Sequence, residues 1–298
     1  MTVAEALARA GERLRACSPS ARLDAVRLLE PIVARDAAWL FAHGEQRLDP
    51  AEAARFESAL ERRAAGEPVA YITGRAGFYG RTFAVTPDAL VPRPESELLV
   101  EVALARLRSF AGPATHPAIL DVGTGSGALA ITLALELPAA SVVAVDVSVA
   151  ALELAERNAR ALGAAPRIEF VASDLLGGLA RGARFDAIVA NLPYVPTGAL
   201  APAPDPTSFE PRLALDGGPD GLALYRRQIA EVGEHLAPAG SLIMEAAPPT
   251  AAPLAALAAA AFGAEARVRV VADLAGLERA IVVELGGRRA PGANAPVP

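Results

Sequence analysis

The sequence predicts an α/β protein in which a small helical domain precedes a mainly parallel, doubly wound sheet. From Arg93 onward, short apolar segments alternate with amphipathic helical segments, and a glycine-rich turn follows the first apolar segment. The first 66 residues show helical periodicity instead. Strands that alternate with helices pair in parallel, because each helix returns the chain to the same end of the sheet. At 298 residues the chain can form one large or two smaller domains.

The helical domain is predicted at residues 1–66. Three helices are predicted in it, and each starts at typical capping residues. The first runs from Thr2 to about Ala16, the second begins at Ser18-Pro19, and the third runs from Asp49-Pro50 to Gly66. Pro31 is expected to kink the second helix or to end it early, because proline lacks an amide N–H. The domain carries no cluster of chemically active groups, so it is either a structural module or a docking surface for a protein partner.

A β-hairpin connector is predicted at residues 67–92, and the sheet domain is predicted at residues 93–285. In the connector, aromatic and β-branched residues alternate around glycines. The predicted strands of the sheet are 118–120, 141–146, 167–174, 185–191 and 241–246, with two later candidates at 266–272 and 280–285. One predicted helix follows the glycine turn and ends near Leu137. Three others are predicted at 149–163, 220–236 and 250–262. Residues 286–298 are expected to be a disordered tail.

Composition excludes several classes of function. No apolar run reaches the roughly 18 residues of a membrane span, and the N-terminus does not resemble a signal peptide, so we expect a cytoplasmic protein. The single Cys17 and the scattered histidines predict no disulfide and no metal site. The chain contains no lysine, which excludes Schiff-base chemistry and a P-loop. A net charge of −6 argues weakly against a general nucleic-acid-binding surface.

The segment "DVGTGSGALA" at 121–130 predicts a cofactor site, because it follows a strand and opens a helix. Gly123, Gly125 and Gly127 allow a tight turn and a close approach of the backbone to a ligand at the helix N-terminus. Asp146 ends the next strand, where a carboxylate can accept hydrogen bonds from ribose hydroxyls. A nucleoside-bearing cofactor is therefore predicted. The glycines also fit a dinucleotide pattern, but the sequence offers no convincing acid or base for hydride transfer.

The segment "VANLPYVP" at 189–196 predicts a site for a planar NH2 group. Asn191 follows the fourth strand, at the carboxyl edge where parallel sheets place their ligands. Pro193 stiffens the turn, and Tyr194 offers a flat apolar face. The side-chain oxygen of Asn191 and a neighbouring backbone carbonyl can accept both hydrogens of an amide or an exocyclic amine, and positioning supplies most of the catalysis. The pattern indicates a methyltransferase.

The chain resembles the HemK-type (PrmC) protein-glutamine methyltransferases over nearly its whole length. The motifs that carry the resemblance are "RLDAVRLLE", "WLFAHGE", "YITGRAGFYGRTFAVTPDALVPRPESE", "ILDVGTGSGALAI", the NLPY loop and "FEPRLALDGGPDGLALYR". The resemblance implies a Rossmann-like, seven-stranded S-adenosylmethionine-dependent methyltransferase fold with a small N-terminal helical domain for substrate recognition. It also implies methylation of the glutamine amide nitrogen in the GGQ loop of bacterial class-1 peptide chain release factors, without a membrane and without direct nucleic-acid binding.

The resemblance also implies the roles of individual residues. The S-adenosylmethionine site would comprise Gly123, Thr124, Gly125, Ser126, Gly127, Asp146, Asp174, Leu175 and Asn191. Asp146 would bind the ribose, and Asp174 and Leu175 would flank the adenine. The substrate loop would comprise Asn191, Leu192, Pro193 and Tyr194, of which Asn191, Pro193 and Tyr194 would be catalytic.

Two departures and one open motif accompany the resemblance. The family usually has proline where this chain has Leu192, and only the backbone carbonyl is needed there. This chain has "MEAAPP" at 244–249, where the family commonly has a Glu-Ile-Gly-like turn. The sequence therefore does not predict which contacts the end of the fifth strand makes. In "PRPESE", Arg93, Glu95 and Glu97 either line the methionine end of the pocket or simply belong to a helix start.

Three other functions stay open on the sequence alone. An adenine-N6 methyltransferase of rRNA or DNA also fits an NLPY loop, but it would need base flipping and a positively charged groove. An inactive cofactor-binding partner protein is the second alternative, and a nicotinamide oxidoreductase is the third.

Overall fold

The computed structural model describes residues 1–110, 116–202 and 204–286. The chain divides into two compact units. The first contains Met1–Arg75, Val85–Pro87 and Ala201–Glu210, and the second contains Ala76–Ala84, Asp88–Leu200 and the chain from Pro211 onward. The domain boundaries expected from the sequence stay a prediction, and apart from Gly286 the expected tail lies outside the described residues.

The described residues of the first unit form five α-helices: α1 (Val3–Leu14), α2 (Ala21–Val33), α3 (Ala37–Ala42), α4 (Pro50–Ala64) and α5 (Val69–Thr73). The predicted helix starts at Thr2 and Asp49 are confirmed, and both α1 and α4 begin with a capping box. A short 3-10 turn, Pro206–Phe209, also belongs to this unit. The apolar faces of α1, α2 and α4 share one core, which includes Leu14, Leu29 and Phe56.

Two features of the helical part differ from the expected elements. Helix α2 does not end at Pro31 but continues to Val33, where Ile32 and Val33 still pack against the core, and the alternative expectation of a kink stays a prediction. The short helices α3 and α5 were not predicted from the sequence. Helix α3 starts where the side chain of Asp36 accepts a hydrogen bond from the Trp39 amide at 2.8 Å, which caps a segment too short to show a clear period.

The described part of the second unit has nine strands, of which two form a hairpin and seven form the main sheet. The hairpin strands are β1 (Arg75–Phe78) and β2 (Arg81–Ala84). The sheet strands are β3 (Ala118–Val122), β4 (Ser141–Asp146), β5 (Ile168–Ala172), β6 (Phe185–Ala190), β7 (Leu236–Glu245), β8 (Ala266–Ala272) and β9 (Glu278–Leu285). The helices are α6 (Glu97–Phe110), α7 (Ala128–Glu136), α8 (Val149–Ala161), α9 (Ala223–Val232) and α10 (Pro248–Phe262).

The main sheet has the strand order β5-β4-β3-β6-β7-β9-β8. The first five strands in this order pair in parallel, whereas β9 is antiparallel to both of its neighbours. The predicted mainly parallel, seven-stranded fold is therefore confirmed. The order reverses beside β3, which pairs with β4 on one side and with β6 on the other. Such a switch point leaves a crevice at the carboxyl ends of the strands.

Helices cover both faces of the sheet, and the side chains of β3 alternate between them. Ile119 packs in a cluster with residues of α6 and α7, whereas Leu120 packs in a second cluster with residues of α9 and α10. This alternation follows the two-residue period of a strand. Among the described residues, we found no helix long and apolar enough to cross a membrane.

The largest difference from the predicted elements lies around β7. The helix predicted at 220–236 spans only α9, because Gly221 has a φ of 78° that an α-helix does not allow and Gly233 caps the end. Strand β7 begins at Leu236, five residues before the predicted start at Ser241. A register shift in its pairing with β6 accommodates the extra residues, and no sequence period signals it.

Candidate active site

A cavity of about 380 Å³ lies at the carboxyl ends of the parallel strands, within the range of small-molecule sites. The sequence-predicted residues that line it are Gly123, Thr124, Gly125, Ser126, Asp146, Asp174, Leu175, Asn191, Leu192 and Pro193. Arg93 and Ser96 also line it. Two predicted residues, Gly127 and Tyr194, are not among the lining residues of the described chain.

The glycine turn between β3 and α7 is held against the end of β4. The Gly125 amide donates to Oδ2 of Asp146 at 2.9 Å, and the Ser148 amide donates to Oδ1 at 2.9 Å. Burial raises the pKa of Asp146, although these backbone amides oppose the shift. The carboxylate thus fixes the turn while it lines the cavity.

Gly127 has a packing role in this turn. It has a φ of 83°, and an added Cβ would lie 2.8 Å from Cδ1 of Ile131 and 3.1 Å from Cβ of Ala155. The glycine therefore allows α7 to start close against α8. We expected all three glycines to approach a ligand, but the geometry supports this only for Gly123 and Gly125, which line the cavity.

Asp121 supports the turn from below, and sequence reasoning did not single it out. It is fully buried, and its Oδ2 accepts hydrogen bonds from the Thr124 hydroxyl at 2.7 Å and from the Ala130 amide at 3.1 Å. Burial raises the pKa of this carboxyl to about 7. One side chain thereby joins the end of β3, the turn and the start of α7. The sequence signal for this role is an acidic residue two positions before the first glycine of the turn.

The segment after β5 forms a further wall of the cavity. Leu175 is buried with a φ of 52°, which is uncommon for a residue with a side chain. The Ser173 hydroxyl donates to the Leu175 carbonyl at 2.8 Å and holds this conformation. Asp174 is exposed and pairs with Arg227 at 2.8 Å, and both residues line the cavity.

The NLPY loop begins directly after β6 and carries two acceptors beside the glycine turn. Asn191 is half-buried, and its Nδ2 donates to Oγ of Ser96 at 2.9 Å, which leaves Oδ1 able to accept a hydrogen bond from a ligand. Leu192 is buried, and an added Cβ on Gly123 would lie 3.1 Å from its Cδ2. The carbonyl of Leu192 is the neighbouring main-chain acceptor, and it lies 3.4 Å from the buried Tyr225 hydroxyl. Asn191 and Leu192 both line the cavity.

Tyr194 is held through its hydroxyl, and the expected role of its ring face toward the substrate stays a prediction. Its hydroxyl donates to Oε1 of Glu245 at 3.2 Å, and burial, followed by the nearby Glu245 charge, raises the pKa of the tyrosine. The phenol therefore stays neutral and serves as a hydrogen-bond donor to Glu245.

Glu245 and Tyr225 anchor the loop, and sequence reasoning missed both. Glu245 ends β7, is buried, and accepts a hydrogen bond from the Ser96 hydroxyl. The hydroxyl of Tyr225 donates to the Glu245 carbonyl at 2.7 Å and accepts from the Leu192 amide at 3.2 Å. The motif "MEAAPP", whose contacts were left open, thus supplies the fifth-strand support of the loop.

In the motif "PRPESE", some residues line the cavity and others belong to a helix start. Arg93 lines the cavity, but Glu95 and Glu97 are not among the lining residues of the described chain. Glu95 lies 3.9 Å from Arg279, and the Glu97 side chain accepts from the Tyr79 amide at 2.7 Å. These two acids therefore belong to the start of α6.

The glycine-rich segment "DGGPDG" at 216–221 holds the other side of the NLPY loop. The Val195 amide donates to the Leu215 carbonyl at 3.0 Å, and the Gly217 amide donates to the Val195 carbonyl at 2.8 Å. Gly221 lies so close that an added Cβ would overlap the Tyr194 carbonyl oxygen. The segment thereby fixes the backbone that carries the two acceptors.

Two family models match the chain. One, described as "PrmC N-terminal domain", matches residues 5–74, and the other, described as "Methyltransferase small domain", matches residues 96–202.

Curated relatives match almost the full chain. A release factor glutamine methyltransferase of Moorella thermoacetica is 44% identical over 94% of this chain and 97% of its own length. The chain belongs to the release factor glutamine methyltransferases. A second member of the family, from Cereibacter sphaeroides, is 43% identical over 96% of this chain and 99% of its own length.

Solved structures agree on the fold of this release factor glutamine methyltransferase. A methyltransferase from Pyrococcus furiosus superimposes with a TM-score of 0.50 at 15% identity, over 77% of this chain and 99% of that chain. At this identity the likeness concerns the fold alone.

Proposed function

We propose that this enzyme transfers a methyl group from S-adenosylmethionine to the side-chain amide nitrogen of the glutamine in the GGQ loop of class-1 peptide chain release factors. The observation that carries the proposal is the pair of residues Asn191 and Leu192 at the cavity, beside a glycine turn that Asp146 holds in place, in a member of this family. Release factors act at the ribosome, so we expect the enzyme to work in the cytoplasm.

The lining of the cavity fits S-adenosylmethionine. We assign the Gly123–Ser126 backbone to its methionine part, Asp146 to the ribose hydroxyls, and Asp174 with Leu175 to the adenine. The Asp146 carboxylate and the hydroxyls of Thr124 and Ser126 that line the cavity suit the polar parts, and the apolar side chain of Leu175 suits the base.

Catalysis follows from positioning and from hydrogen bonds that strengthen in the transition state. Bound S-adenosylmethionine supplies an electrophilic methyl group on a sulfonium. An amide nitrogen is a weak nucleophile because its lone pair is delocalised into the carbonyl. Asn191 Oδ1 and the Leu192 carbonyl would accept its two N–H groups and localise the lone pair as the new bond forms. The methylated amide is acidic and loses its extra proton to solvent, so no side-chain base is needed.

Mass spectrometry of the release factor tests the proposal. After incubation with S-adenosylmethionine, the tryptic GGQ peptide should gain the mass of one methyl group on glutamine. A release factor whose GGQ glutamine is replaced by alanine is the matched control and should gain none. Duplex DNA and rRNA are assayed in parallel, because methylated adenine with an unmodified release factor would favour the adenine-N6 alternative and overturn the proposal. The net charge of −6 supports a protein substrate.

We further propose that the helical residues 1–66 recognise the release factor. A shortened chain should begin at Ala76, because Phe78 and Phe83 are buried in the core of the second unit and the Asn158 side chain bonds the Ala84 backbone at 2.8 and 3.0 Å. This shortened chain is expected to bind S-adenosylmethionine, as measured by calorimetry, but to methylate the release factor poorly. Full activity would leave the helical part without a recognition role.

Gly221→Ala is expected to lower the methylation rate by at least about tenfold, because the new Cβ displaces the Tyr194 carbonyl and with it the substrate loop. Cofactor affinity should change little, since Gly221 is not among the cavity-lining residues of the described chain. Gly233→Ala is the matched control, because a Cβ there meets no atom within 4 Å and the φ of −58° suits alanine. Equal rates for the two variants would show that the segment does not fix the loop.

A further inference from the structure

A short polar chain connects Asn191 to the end of β7. Nδ2 of Asn191 donates to Oγ of Ser96 at 2.9 Å, and the Ser96 hydroxyl donates in turn to Oε2 of Glu245. Ser96 is 4% exposed and Glu245 is 2% exposed, so water competes little for these bonds. Because the chain is buried, each group in it must be matched by a partner of the correct type.

The direction of the hydrogen bonds in this chain is determined at Glu245. Its Oε2 accepts from Ser96, and its Oε1 accepts from the Tyr194 hydroxyl at 3.2 Å. Burial raises the pKa of Glu245, whereas these two hydroxyls and Arg279 favour the ionised form and Glu95 opposes it. A carboxylate that receives a donor on each oxygen acts as an acceptor toward Ser96.

The serine transmits this direction to Asn191. A hydroxyl has one hydrogen, and the Ser96 hydrogen is engaged with Glu245, so its oxygen can only accept from Asn191. The NH2 end of the carboxamide must therefore face Ser96. The reversed carboxamide would place its oxygen against the serine oxygen, without a hydrogen between them, and would present NH2 to the substrate amide, which is itself a donor.

We propose that Ser96, held by Glu245, is a positioning residue that selects the orientation of the Asn191 carboxamide in which Oδ1 accepts the substrate N–H. The inference deepens the proposed function and rests on it for the identity of the substrate. Ser96 acts through Asn191, and Glu245 acts through Ser96, although Ser96 also lines the cavity.

Steady-state kinetics with the full-length enzyme and a release factor test the proposal. Ser96→Ala should lower kcat on the order of 10- to 100-fold, because the catalytic amide is no longer held in one orientation. The melting temperature should fall by a few degrees, because a buried Glu245 oxygen loses its donor while the other keeps the Tyr194 hydroxyl. The affinity for S-adenosylmethionine should change much less than kcat. Ser96→Thr, which keeps the hydroxyl, should retain most of the turnover. In an Asn191→Ala background, Ser96→Ala should cause no further loss, because the group through which it acts is already gone.

A second measurement needs no substrate. The side-chain NH2 signals of Asn191, assigned by comparison with Asn191→Asp, should show slow hydrogen exchange in the wild-type enzyme and faster exchange in Ser96→Ala. Unchanged exchange, an unchanged kcat, or an undiminished effect of Ser96→Ala in the Asn191→Ala background would each overturn the proposal. If the wild-type enzyme left the release factor unmodified while the exchange difference was present, the proposed function would fail and the positioning role would stand.

Discussion

Replacing Asn191 with alanine is expected to lower the turnover of release factor methylation on the order of 10²–10³-fold, the effect of removing one preorganised polar group from an active site. The loss should appear in kcat, because Oδ1 is proposed to accept a substrate N–H that becomes more acidic as the nitrogen attacks. Single-turnover methylation with a saturating release factor measures this step. Near wild-type methylation by Asn191→Ala would mean that the NLPY loop does not hold the amide.

Leu192→Pro is the control for this experiment, since it changes the neighbouring residue but keeps the backbone carbonyl. Proline removes the Leu192 amide that donates to the Tyr225 hydroxyl at 3.2 Å, but that hydroxyl still donates to the Glu245 carbonyl at 2.7 Å. One long hydrogen bond is typically worth about 1 kcal/mol or less, so activity should stay within about tenfold of the wild type. The pair of variants separates recognition by the side chain from recognition by the main chain.

Asp146→Ala is expected to weaken S-adenosylmethionine binding by about 1.5–3 kcal/mol, the typical contribution of a hydrogen bond to a charged group. This corresponds to a roughly 10- to 150-fold higher Kd, measured by calorimetry. The structure adds a second cause, because the same carboxylate accepts the Gly125 amide and holds the glycine turn. The rate of the chemical step at saturating cofactor should fall much less than the affinity.

Asp174→Ala is the matched control for Asp146→Ala. Asp174 also lines the cavity, but it is exposed and its ion pair with Arg227 is at the surface, where such pairs contribute little. We expect a several-fold smaller change in Kd. An unchanged Kd in Asp146→Ala would show that the ribose is bound elsewhere.

The sequence determined the class of fold and the position of the site. The alternation of apolar strands with helices predicts a parallel sheet, and the residues after those strands must lie together at its carboxyl edge because parallel strands end on the same side. Gly123, Asp146 and Asn191 were predicted in this way, and the structure places all three at one cavity. Local patterns sufficed because each of these residues directly follows or ends a strand.

The tertiary structure decided what supports these residues. Ser96 and Glu245 are 149 positions apart, and no local sequence pattern predicts that the two side chains are in contact. Their contact exists because β7 pairs beside β6, which brings the end of β7 to the NLPY loop. Likewise, Gly127 is required by the approach of Ala155 on another helix. Hydrogen bonds and packing between distant segments depend on how the strands are ordered in space, and the periodicity of one segment contains no information about that order.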